Sequence, residues 1–166
     1  MSYKNLTKGE KKTSGFTIIE VLIVLAIAGL ILLIVFLAVP ALRRSGRNTA
    51  MKNDVQNVLG GISEFAGANN GALPTSVVGT GDGKVNFTST VTGSNATDIS
   101  IQGGTTVSTS ATVAAPTAAP ALSTIVIVLK AKCNGNTGVT ANGRAAAAFY
   151  SVELSGGGTA QQCVES

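Results

Sequence analysis

The sequence predicts an α+β protein in which one long N-terminal helix packs on a small antiparallel β-sheet domain. Three observations predict it. Val21 to Leu42 is a run of 22 residues with no charged or amide side chain, long enough to cross a bilayer as a helix. Met51, Val55, Val58, Leu59, Ile62 and Phe65 then recur mostly at three- and four-residue steps, which puts them on one face of a continuing helix. Beyond Pro74 the pattern changes to short β-branched stretches separated by glycine and asparagine turns.

Taken in order, the elements are a basic leader (1–15), a membrane-spanning helix (16–42), its amphipathic continuation (43–72) and a β domain (73–166). The leader holds Lys4, Lys8, Lys11 and Lys12 against Glu10, and so accounts for most of the formal net charge of +4. The rest of the chain is nearly neutral, and the basic balance therefore gives no support to nucleic-acid binding. A helix over residues 17–66 would be roughly 75 Å long at 1.5 Å per residue. Gly46 and the pair Gly60-Gly61 weaken it, and Asn69-Asn70-Gly71 with Pro74 supply a stop. Arg43, Arg44 and Arg47 follow the apolar run and partly oppose the charge bias set by the leader.

In the β domain, strands are expected at 84–91, 105–113, 122–129, 145–154 and 161–165. The run from Leu122 to Leu129 reads as a buried central strand. Gly79 to Gly83, Asn134-Gly135-Asn136 and Gly156-Gly157-Gly158 have turn chemistry. Three to five antiparallel strands on the Met51–Phe65 face follow, in an order the sequence leaves open. The Ala-Pro-Thr segment 114–120 reads as an extended connection and a plain surface loop. Asn86-Phe87-Thr88 and Asn95-Ala96-Thr97 match a glycosylation acceptor pattern of low specificity.

Glu20 stands at the head of the apolar run, where an unpaired carboxylate costs on the order of 2–3 kcal/mol at membrane depth. It either snorkels to the headgroups or has a function. The segment Gly15-Phe16-Thr17-Ile18-Ile19-Glu20 after Lys11-Lys12 resembles the processing site of a type IV prepilin. The resemblance covers 11–42 closely and 43–75 loosely; Pro40 lies slightly later than the proline many family members carry. It implies removal of residues 1–15 by a prepilin peptidase cutting between Gly15 and Phe16, and N-methylation of Phe16. It further implies a homo-oligomeric helical filament, built by membrane assembly machinery, in which Glu20 meets the ammonium of a neighbour's Phe16. The subunit would be a single-pass membrane protein held in lipid before assembly and a surface filament afterwards, serving adhesion, surface motility or DNA uptake. The alternatives are a type II secretion pseudopilin, disfavoured by the scattered acids Asp82, Asp98, Glu153 and Glu165, and an anchored adhesin that never polymerises. Conventional signal-peptide cleavage fits poorly, because the run is too long and Ala26-Ile27-Ala28 lies inside it.

Cys133 and Cys163, both in the part expected outside the cytoplasm, are the only cysteines, and an even count in an oxidising compartment favours a disulfide over two buried thiols. Many pilins close a C-terminal loop similarly. No metal, cofactor or catalytic residue is expected. There is no histidine and no C-x-x-C, and Gly79 to Gly83 lacks phosphate-loop spacing. The chain reads as the substrate of an enzyme rather than an enzyme.

Overall fold

The computed structural model describes residues 15–89 and 98–166. The leader up to residue 14, the end of the strand expected at 84–91 and the Asn95-Ala96-Thr97 acceptor lie outside the described residues. One helix, α1 (Ile18–Ala68), precedes seven strands. The strands are β1 (Ser76–Thr80), β2 (Lys84–Thr88), β3 (Asp98–Ser100), β4 (Thr106–Thr109), β5 (Thr124–Asn134), β6 (Gly138–Glu153) and β7 (Thr159–Glu165). The chain divides between Pro40 and Ala41 into two compact units.

In the first unit every side chain from Phe16 to Pro40 is exposed, although nearly all are apolar. Among the described residues α1 is the one helix long and apolar enough to cross a membrane. Pro40 lies inside α1, where it withholds the N–H that the carbonyl of Phe36 would otherwise accept.

In the second unit α1 is amphipathic. Met51, Val55, Val58, Leu59, Ile62 and Phe65 are buried against Val77, Val85, Phe87, Val107, Ile125 and Ile127 from the sheet. The helix stops where the asparagines and glycine predict. Asn70 adopts φ 55° and Gly71 φ 83°, and the Gly71 N–H donates to the Ala66 carbonyl at 2.7 Å, a six-to-one bond that closes the last turn.

The sheet order is β3-β2-β1-β4-β5-β6-β7. All neighbouring pairs are antiparallel except β4 and β5, which run parallel with Val107 beside Ile125. Three to five antiparallel strands are expected from the sequence; the sheet has seven, with one parallel pair. The parallel pair exists because residues 110–123, including the Ala-Pro-Thr segment, supply the long crossover that parallel strands need. β1 escapes a sequence reading because Gly79 interrupts it. There the backbone passes so close to its neighbours that a Cβ would meet the Lys84 carbonyl and Val85 at 3.1 Å.

Both faces of β6 are buried. Ala146, Ala148 and Tyr150 face α1, while Ala147 and Phe149 belong to a second core with Val128 and Ala131. The cover on that second side comes from the β5–β6 hairpin, through Cys133 and Val139, and from Ala115 of the crossover. Lys130 takes a positive φ of 57°, and the register jumps between Leu129, opposite Ala146, and Ala131, opposite Ala141. This bulge turns the hairpin tip over β6 and β7, where Cys133 is bonded to Cys163 with Cα atoms 5.9 Å apart. Glu165 holds the same tip, accepting from the Cys133 N–H at 2.9 Å.

The two adjacent helix glycines have opposite surroundings. A Cβ on Gly61 would lie 2.7 Å from Phe87 Cζ and 2.9 Å from Ile99 Cγ2, whereas one on Gly60 would meet open space. Gly61→Ala is therefore expected to destabilise the fold by about 1–2 kcal/mol, overpacking outweighing the gain in helix propensity. Gly60→Ala should stabilise it by up to about 1 kcal/mol. Urea midpoints of the two variants moving in the same direction would contradict this.

Candidate functional site at the capped start of the helix

Gly15, Phe16 and Thr17 precede the first helical residue, and among the described residues nothing lies within 4 Å of where a Cβ on Gly15 would sit. Thr17 caps α1. Its carbonyl accepts the first intrahelical bond, from the Val21 N–H at 3.3 Å, and its hydroxyl accepts from the Glu20 N–H, also at 3.3 Å. Glu20 Oε2 lies 3.5 Å from the same hydroxyl and accepts from it. Thr17 and Glu20 thus occupy the first and fourth positions of a capping box, with the carboxylate returning to the threonine side chain. Phe16 and Val21 stand just outside and one turn inside this box, the positions of a hydrophobic staple, and with Glu20, Val24 and Leu25 they line a groove of about 280 Å3. A carboxylate in the first turn also meets the positive end of the helix dipole.

The structure therefore brings Phe16 and Glu20 to one groove and ties Thr17 to Glu20 through the cap. The capping function of Thr17 was legible as Thr-x-x-Glu before an apolar run, but the same letters also match the prepilin pattern, which claims them first.

A second polar cluster ties α1 to the end of β6. Arg47 forms a fork with Glu153, Nε to Oε1 at 2.6 Å and Nη2 to Oε2 at 2.7 Å. Asn48 both donates to the Glu153 carbonyl and accepts from its N–H, each at 2.9 Å, as a neighbouring strand would. Arg44 Nη1 donates to the Ser155 carbonyl at 3.3 Å. About two turns of helix deeper, buried Asp54 accepts from the Gln102 N–H at 2.9 Å and the Thr105 hydroxyl at 2.7 Å, which pins the segment before β4. None of these pairs carries a local sequence signal.

The hydrogen bonds from Arg47, with the charges of Arg47 and Arg44, hold the Glu153 carboxyl below its ordinary range. A depressed carboxyl pKa contributes stability that is present above the unfolded value of about 4.3 and is lost as pH falls through the folded one. Glu153→Gln should accordingly flatten the dependence of the urea midpoint on pH below about 4, and added salt should shrink the difference because the pair is solvated. An unchanged acid limb would show that the fork contributes nothing to stability.

A helix with a capped, acidic first turn at the head of a fully exposed apolar run, continuing into a face packed on a sheet, defines a membrane-anchorable α+β protein. Residues 11–36 match the family model described as the prokaryotic N-terminal methylation motif. The chain thus carries the type IV prepilin-like signature, which supports a pilin-like or pseudopilin protein. Comparisons with curated proteins and with solved structures found no match.

Proposed function

We propose that the chain is the structural subunit of a type IV pilus-like filament, cut by a prepilin peptidase between Gly15 and Phe16 and methylated on Phe16. The match of residues 11–36 to the methylation motif carries this reading. The geometry supports it in two ways. The Gly15–Phe16 junction precedes the helix, and both residues are exposed among the described residues. Every apolar side chain from Phe16 to Val39 is exposed among the described residues, a surface suited to cover by lipid or by copies of the same helix.

Residues 16–42 hold the subunit in the membrane with residues 73–166 outside, and the same run then packs against its copies. Apolar surface moves between two apolar environments, so the transfer is close to neutral and polar pairing must supply the specificity. Cleavage creates an ammonium at Phe16, beside a helix end that already carries partial positive charge. Glu20, from the same subunit and from a neighbour, is the group that compensates it. The chain is thereby a substrate of the peptidase and of the assembly machinery, and its own activity is polymerisation. The filament would serve adhesion, surface motility or DNA uptake.

Mass analysis of the N-terminal peptide from sheared filaments tests the reading. The expected result is a chain that begins at N-methylated Phe16. A start at Met1, or a cut after Ala28, overturns it.

A further inference from the structure

We infer that the turn between β6 and β7, together with Arg43 and Arg44, is a docking surface for anionic phospholipid headgroups. The inference rests on the proposed membrane placement of residues 16–42. At 1.5 Å per residue, Arg43 and Arg44 lie within about 3 Å along the helix of Leu42, the last residue of the apolar run. The headgroup layer is about 5–8 Å deep on each side of the hydrocarbon, so both arginines fall inside it. The Arg44 bond to the Ser155 carbonyl brings the β6–β7 turn to that level.

The turn has a fixed shape. The Leu154 N–H donates to the Gly158 carbonyl at 3.1 Å, and the Gly157 N–H returns to the Leu154 carbonyl at 3.2 Å. It presents Leu154 45% exposed, an apolar side chain next in sequence to Ser155, whose carbonyl Arg44 holds. Arg47 is committed to Glu153, and Arg43 is exposed. Two arginines directly after the apolar run, one of them holding a turn with an exposed leucine, complement a surface of phosphates over acyl chains. The occupant is therefore lipid. Docking there would hold the β domain upright on the membrane before assembly.

The chain has no tryptophan, so Leu154→Trp gives a single reporter and leaves the disulfide intact. The full chain is reconstituted in vesicles of brominated phosphatidylcholine with phosphatidylglycerol. Leu32→Trp serves as the reporter of the span and Thr137→Trp, at the exposed hairpin tip, as the aqueous reference. Quenching at Leu154→Trp should fall between the two. Arg43→Gln, which leaves the Arg44–Ser155 bond in place, should lower the docking equilibrium constant about fivefold, and removing the phosphatidylglycerol should lower it further. Leu154→Trp no more quenched than Thr137→Trp, with Leu32→Trp strongly quenched, overturns the docking surface alone. An unquenched Leu32→Trp overturns the membrane placement and the docking surface with it. Protection of Leu154→Trp in filaments but not in vesicles assigns the turn to subunit contact and also overturns the proposal.

Discussion

Replacing Cys133 and Cys163 together by serine should lower the unfolding free energy by about 3–4 kcal/mol. The bond closes a segment with a sequence separation of 30, and in the chain-entropy model a loop of that size restricts the unfolded chain by this amount. The fold adds a reason for the full effect to be seen. The hairpin tip that Cys133 anchors is the lid of the second core, over Val128, Ala147 and Phe149. Beside the packing of Val139 on that core, its ties are polar and mostly exposed: the Glu165 carboxylate on the Cys133 N–H, the Lys132–Glu165 contact at 3.9 Å and the Gln161 amide on the Asn136 carbonyl. Exposed contacts of this kind contribute a few tenths of a kcal/mol to about 1 kcal/mol each. Without the bond the tip should open, raising hydrogen exchange in residues 131–141 more than in α1. Equal protection in both states and a loss below about 1 kcal/mol would show that packing alone seats the tip.

The extent to which this fold can be read from sequence depends on whether a signal is local. The long helix is legible because hydrophobic periodicity, asparagine and glycine all act within a turn or two of one another, and α1 ends at Ala68, before the expected Asn69-Asn70-Gly71 stop. The β5 and β6 strands are legible from β-branched and aromatic residues, although both extend beyond the stretches that suggest them. β1 and β3 are not, since one carries a glycine and the other spans three residues. The two-sided burial of β6 could not be anticipated. Ala145 to Tyr150 is continuously apolar, and a continuous run does not say which layer covers each face. The bulge at Lys130 that supplies the second layer has no sequence mark, because lysine seldom takes a positive φ. At the candidate site, Gly15, Phe16 and Glu20 are legible as a contiguous motif. Arg47 with Glu153 and Asp54 with Thr105 are 106 and 51 residues apart and become neighbours only through the packing of α1 on the sheet.

Glu20→Gln should leave the subunit inserted in the membrane and cut after Gly15, yet absent from sheared filaments. The substitution is informative because the capping box makes a definite opposing forecast. If Glu20 serves only to close the first turn with Thr17, glutamine suits the same position, and the change costs a few tenths of a kcal/mol in an otherwise normal filament. If Glu20 compensates the Phe16 ammonium of a neighbour, the amide leaves that cation buried among apolar helices, a loss of about 2–5 kcal/mol per contact. Repeated at every subunit, even the lower figure prevents polymerisation. Thr17→Ala provides the complementary measurement. It removes the cap, at about 1 kcal/mol, while keeping the charge, and so should reduce filament yield without abolishing it. Normal filaments from Glu20→Gln at normal membrane abundance would confine Glu20 to its helix. Filaments lost equally in both variants would place the decisive contribution in the geometry of the first turn rather than in the charge.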